Sequence, residues 1–121
     1  MKTITILDTT VASDNLGDQI ILDAVKGVLL EVLPRSYPYH VATHEYMTGV
    51  SKSLLRKSDA AFVAGTNILA SNMEACVLWK LRPWDAFAFN DTVLLGCGWM
   101  NYMKQPNAYS RWMLKKILSD N

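Results

Sequence analysis

The chain has 121 residues, 50% of them hydrophobic and 19% charged, a length and balance that suit one folded domain with a single core. Its 12 basic and 11 acidic residues leave a net charge of +1, and the basic ones are scattered, which excludes the basic stripe that nucleic-acid binding needs. No apolar run approaches the ~20 residues of a membrane span, and Met1-Lys2-Thr3-Ile4 starts no signal-peptide core, so the expected location is the cytoplasm.

Residues 3–7, TITIL, are rich in β-branched side chains and predict a buried strand ending at Asp8. A polar loop follows, Ser13-Asp14-Asn15-Leu16-Gly17-Asp18. From Asp18 onward Ile20, Ile21, Ala24, Val25, Val28, Leu29, Val32 and Leu33 recur at helical spacing until Pro34 ends the pattern. Residues 39–43, YHVAT, read as a second strand, and Ser51 is placed to cap a short helix through Lys57 that buries Leu54 and Leu55. AAFVAG, residues 60–65, predicts a third strand buried on both faces. A helix is expected over 73–81, broken by Pro83, and a fourth strand over 92–98, TVLLGCG. Residues 109–118 predict a final amphipathic helix with Trp112, Met113, Ile117 and, at its end, Leu118 turned inward.

This alternation predicts an α/β fold: residues 1–121 form a single Rossmann-like domain, a parallel sheet of about four strands flanked by helices. The carboxyl ends of parallel strands share one edge, and ligands bind there beside the point where strand order reverses. Three segments therefore converge: Asp8-Thr9-Thr10, Gly65-Thr66-Asn67 and Gly96-Cys97-Gly98.

The loop at residues 13–18 has two readings. Gly17 and Asp18 open a helix, where unpaired N–H groups and a partial positive charge suit a ligand. Asp14 and Asp18 repel anions, so a sugar hydroxyl, which needs an acceptor, fits at least as well as a phosphate. In the other reading Asp14 or Asn15 caps the helix or folds back as an Asx-turn. Gly65-Thr66-Asn67 is either a turn with local side-chain bonds or a close-approach site, and Gly96 and Gly98 either admit a ligand or relieve crowding. His40 and His44 lie in or beside a strand and are expected as surface or packing residues. Cys76 and Cys97 match no metal-ligand spacing and are expected as reduced structural thiols. Trp79, Trp84, Trp99 and Trp112 are too dispersed for one stacking platform. No phosphate loop, dinucleotide fingerprint or nucleophile elbow is present. Asp8 offers a faint aspartyl-phosphate nucleophile, discounted because Thr10 stands where such enzymes carry a second acid.

Taken in order, Asn15-Leu16-Gly17-Asp18 running into a helix, Ala64-Gly65-Thr66-Asn67-Ile68-Leu69 after a strand, and Leu95-Gly96-Cys97-Gly98-Trp99 resemble the polysaccharide pyruvyl transferases. That family shows N-x-G-D, then GGG-x-L, then a G-x-G pair, and the resemblance spans nearly the whole chain. One glycine of the triplet remains here, Gly65. The resemblance implies the N-terminal half of a two-domain, GT-B-like enzyme of cell-surface (exopolysaccharide) biosynthesis. It would transfer a pyruvyl group from phosphoenolpyruvate to a sugar diol as a ketal, with no cofactor and no metal. The family's second domain would hold the donor phosphate and carboxylate, so no donor-binding residue is assigned and the 121-residue chain is expected to be inactive alone. The expected partners are a sugar or polysaccharide-precursor acceptor and that C-terminal domain. The chain ends directly after the predicted last helix, which reads as a cut before that domain. Asp18 is the candidate catalytic residue, as base or hydroxyl acceptor. Asp14, Asn15, Gly17, Gly65, Thr66, Asn67, Gly96 and Gly98 are the candidate substrate contacts. Two alternatives stay open. One is a glycosyltransferase half-domain. The other is a non-catalytic sugar- or nucleotide-binding module, whose docking surface would expose Trp99, Met100 and Tyr102.

Overall fold

A computed structural model describes residues 1–100 and 104–118. Strand β1 (Lys2–Asp8) leads into helix α1 (Leu16–Val32), then β2 (Ser36–Ala42), α2 (Gly49–Lys57), β3 (Ala60–Leu69), β4 (Thr92–Trp99) and α3 (Ala108–Leu118). Short 3₁₀ turns occupy Met73–Ala75 and Pro83–Ala88. The four strands form one all-parallel sheet in the order β2-β1-β3-β4. The chain therefore reverses its direction of winding between β1 and β3, and the switch point lies between their carboxyl ends.

Each face of the sheet buries its own apolar set. Ile4 and Ile6 of β1 and Ala64 of β3 pack against Leu22, Val25 and Leu29 of α1. Leu7, Val41 and Val63 point the other way, onto Leu55 of α2, Met113 and Ile117 of α3, and Trp79. Burial on both faces is why β1 reads as a continuous apolar run rather than an alternating one. In α1 the inward stripe is Asp18, Leu22, Val25 and Leu29. Ile20, Val28 and Val32, also expected inside, are exposed, because eight apolar positions cover more of the helix circumference than one sheet face can take.

Other expectations are corrected. β2 begins at Ser36 and includes Pro38, which is tolerated because β2 is an edge strand and one side of its ladder is free. Thr48, not Ser51, caps α2: its Oγ1 accepts from the Ser51 N–H at 3.2 Å. β3 does not end at Gly65 but continues to Leu69, with Thr66 paired to Cys97 and Leu69 to Trp99. No α-helix forms over 73–81. The Met73 N–H donates to Ser110 Oγ at 2.7 Å, the Lys80 N–H donates to the Thr43 carbonyl at 2.8 Å, and Trp79 sits in the core edge-on to Phe89. The Lys80 bond takes a backbone N–H that a local helix would use, and the Ser110 bond and the burial of Trp79 anchor the rest of the segment to distant partners. In α3 the buried positions are Ser110, Met113 and Ile117. Trp112, expected inside, is 42% exposed and leans on Tyr109 and Phe87, and Leu118 is also exposed. Trp99 is half-buried and Met100 exposed, while Tyr102 lies outside the described residues. No helix among the described residues is long and apolar enough to cross a membrane.

Candidate functional site

β1 delivers Asp8 to the switch point as its last residue. Asp8 is 5% exposed, yet both carboxylate oxygens are occupied. Oδ1 accepts from the Thr10 N–H at 2.8 Å and the Thr10 hydroxyl at 2.6 Å, and Oδ2 lies 2.8 Å from His40 Nδ1. Burial pushes the Asp8 pKa up, but the Thr10 hydroxyl, the Thr10 N–H and His40 together hold it below the ordinary carboxylate value. The neighbouring strands are tied to the same point. Thr9 Oγ1 donates to the Ala64 carbonyl at 3.3 Å, and the Thr43 N–H donates to the Asp8 carbonyl at 3.1 Å.

The Ser13–Asp18 loop closes on itself over the start of α1. The Ser13 N–H donates to the Thr10 carbonyl at 3.2 Å, and Ser13 Oγ donates to Asp18 Oδ2 at 2.6 Å while accepting from the Asn15 N–H at 3.2 Å. Asn15 is the N-cap, with Oδ1 accepting from the Gly17 N–H at 2.9 Å. Asp18 is buried in the first turn, where the helix dipole favours its charge. Asp14 is exposed and makes the wall of a cavity of about 140 Å³ with Thr10, Ser13, Asn15, Leu16 and Gln19.

The glycine-bearing segments form a second group. The last β1–β3 pair is Asp8 with Ala64, so Gly65–Leu69 of β3 and the end of β4 project beyond β1 as a paired extension. Gly65 has φ +76°, and a Cβ there would stand 2.3 Å from Ile21 Cγ2. The group that approaches Gly65 is thus a side chain of α1, and the glycine lets the helix dock on the sheet. Gly96 faces the same Ile21 methyl at an ordinary 3.6 Å. A Cβ on Gly98 would lie 2.1 Å from Asn67 Oδ1, so Gly98 leaves room for the Asn67 side chain, while Thr66 is half-buried and Asn67 exposed. The structure therefore brings Asp14, Asn15, Gly17 and Asp18 together beside Asp8, and gathers Gly65, Thr66, Asn67, Gly96 and Gly98 on the adjacent extension. Ile21 and the Thr9–Ala64 bond connect the two groups.

Both cysteines are free thiols; Cys97 Sγ lies 3.4 Å from the Val63 carbonyl, and burial pushes its pKa up against the bonds to Gly65 and Leu95. Such a thiol is a poor nucleophile. Among the described residues no three His, Cys, Asp or Glu side chains come together as a metal site.

Sequence reasoning missed the Asp8–His40 pair. The sequence places Asp8 among the converging strand ends and offers it as a discounted nucleophile, and it gives His40 as a surface or packing residue, but it does not join the two. The pairing depends on register: Asp8 is opposite Ala42, Ile6 is opposite His40, and side chains two apart on adjacent strands share a face. An acid ending one buried strand and a histidine inside a neighbouring one is the only signal that sequence carries. No protein family, no curated protein and no solved structure matches the chain.

Proposed function

We propose that this α/β chain is the sugar-acceptor domain of a polysaccharide pyruvyl transferase-like enzyme of the cytoplasm. In that enzyme it precedes a second Rossmann-like domain in a GT-B-like arrangement. The intact enzyme joins the pyruvyl group of phosphoenolpyruvate to a sugar diol as a ketal, without a cofactor, and the present chain alone does not turn over. The observation that carries this reading is the Asn15-Leu16-Gly17-Asp18 loop, closed at the start of α1 beside the switch point, with acceptor oxygens clustered around one cavity. Cavities at a switch point are where α/β sheets bind ligands, and an acceptor-rich, anion-repelling wall suits hydroxyl groups rather than a phosphate. Asp18 orients an acceptor hydroxyl or takes its proton. Asp14 and Asn15 line the approach, and the extension carrying Gly65, Thr66, Asn67, Gly96 and Gly98 faces the cleft between domains.

The test is an assay of the native gene product with phosphoenolpyruvate and a panel of monosaccharide diols, following the ketal methyl signal by proton NMR together with phosphate release. Ketal formation supports the reading. Asp18→Asn is then expected to lower turnover by about a hundredfold or more, as loss of an acid–base group does. Turnover of a nucleotide sugar with no ketal product sinks pyruvyl transfer and favours a glycosyltransferase half-domain.

A further inference from the structure

The net charge of +1 hides an uneven distribution. Residues 1–91 carry eight basic and ten acidic side chains, whereas residues 92–121 carry Lys104, Arg111, Lys115 and Lys116 against Asp120 alone. Three of these four cations stand on α3. The buried positions of that helix are Ser110, Met113 and Ile117, so Arg111, Trp112 and Lys115 project from its opposite side, and all three are exposed. Among the described residues Lys104, Arg111 and Lys115 form no ion pair. Of the acids on adjoining segments, Glu74 accepts from Asn107 Nδ2 at 2.7 Å at the amino end of α3, and Asp85 is buried on Lys52.

Apolar side chains flank this row of cations on both sides. On one side Pro106, Leu114 and Leu118 line an open groove of about 530 Å³ that Arg111 and Lys115 complete. On the other the Phe87 ring meets Trp112 at a centroid separation of 6.1 Å, and Lys116 Nζ lies 5.1 Å over the same Phe87 ring. Trp84 and Phe87 are three apart in the 3₁₀ turn Pro83–Ala88, which puts them on one side of it. Trp84 is 59% exposed, Phe87 60% and Trp112 42%. Aromatic rings left in water beside cations, rather than turned onto the core, are what an interfacial surface carries. One acidic helix would need only the groove; the rings on the far side of the cations make the surface broad.

We propose that α3 and the 3₁₀ turn beside it are a peripheral docking surface for a bilayer rich in anionic lipid. The four cations lie against the headgroups, and Trp84, Phe87 and Trp112 enter the interface. Each cation near an anionic leaflet strengthens binding about fivefold, and this attraction fades within a Debye length, so salt weakens it. Aromatic side chains settle at the boundary between headgroups and acyl chains, an attraction that salt does not screen. A soluble acidic partner would use the first attraction and not the second. The surface shares no residue with the candidate site, so it stands whatever ligand that site takes.

The test is sedimentation of the full chain with phosphatidylcholine vesicles, made with and without about three parts in ten phosphatidylserine. Binding is expected to the phosphatidylserine vesicles, and it should weaken about tenfold or more between about 0.1 and 0.5 M salt as the Debye length shrinks. Arg111→Gln with Lys115→Gln is expected to weaken it about twentyfold, roughly fivefold for each cation. Lys26→Gln with Arg35→Gln removes the same charge from exposed positions in and just after α1, which packs on the opposite face of the sheet, and is expected to leave binding unchanged. Trp112→Ser is expected to weaken binding about three- to tenfold through lost apolar burial. Failure to bind the phosphatidylserine vesicles overturns the proposal, as does an equal loss from the two charge-removing pairs. Binding that Trp112→Ser leaves unchanged overturns it too; if soluble poly-L-glutamate then binds as well as the vesicles do, the surface belongs to an acidic protein.

Discussion

Replacing Gly65 by alanine tests whether this glycine exists for the helix rather than for flexibility. The Gly65 backbone sits at φ +76°, in the left-handed region, and an added Cβ would meet Ile21 Cγ2 at 2.3 Å and Ile21 Cβ at 3.3 Å. The left-handed conformation costs an L-residue about 1–2 kcal/mol. Overpacking against a β-branched side chain on a helix, which has little rotamer freedom, adds about 1–3 kcal/mol. Alanine also reduces the entropy of the unfolded chain, which returns about 0.4–1 kcal/mol. The net expectation is a loss of about 2–4 kcal/mol, read by urea unfolding with the fluorescence of Trp79, which is 1% exposed and sits in the opposite core. Gly96→Ala is the built-in contrast: φ is +67° but the Ile21 methyl is 3.6 Å away, so only the conformational part, about 0–1.6 kcal/mol after the same unfolded-chain term, should appear. Ile21→Ala in the Gly65→Ala background should recover the steric part, giving a coupling energy of about 1–3 kcal/mol. A Gly65→Ala loss no larger than that of Gly96→Ala, or strict additivity with Ile21→Ala, would refute the steric argument.

Other perturbations follow from single contacts. Lys52 Nζ lies 2.7 Å from Asp85 Oδ1, and the Asp85 side chain is 0% exposed, with Oδ2 accepting from the Arg82 N–H. Lys52→Met leaves that carboxylate buried without its cation and should cost about 3–5 kcal/mol in urea unfolding; a loss below about 1 kcal/mol would mean the pair is dispensable. Because the folded pKa of Asp8 is depressed from 3.8, the unfolded chain binds more protons there as the solution is acidified. Asp8 thus contributes stability above that value, lost as pH falls through the folded pKa. Asp8→Asn should flatten stability against pH in the acid limb below about pH 5, and an unchanged slope there removes the argument. Asn15→Ala should destabilise by about 1 kcal/mol through loss of the α1 cap, while Asp14→Ala on the exposed loop should stay within about 0.5 kcal/mol; equal effects would place the cap elsewhere.

The parts of the fold legible in the sequence were those governed by local chemistry. β1 and β4 announce themselves as short apolar runs, and α1 as an apolar repeat bounded by Asn15 and Pro34. Their alternation was enough for a parallel α/β sheet. The misreadings came where distant partners set the backbone. Thr66 and Asn67 look like a turn after Gly65, yet the ladder to Cys97 keeps them extended. Residues 73–81 carry helical spacing, but Ser110, Thr43 and the pocket around Trp79 claim the segment. Trp112 follows the same logic: the amphipathic pattern of residues 109–118 puts it inward, but the buried face of α3 is set by Ser110, Met113 and Ile117.

For the candidate site the same division holds. Residue order alone determined that Asn15, Gly17 and Asp18 stand at a helix start after a strand, because capping acts within a few residues and needs no partner from elsewhere. The tertiary structure decided what surrounds that start. It set Asp8 against His40, 32 residues apart in the chain, and filled the space over Gly65 with Ile21. Strand register and helix docking are long-range quantities, chosen by the burial of two whole faces at once, so no short stretch of residues encodes them.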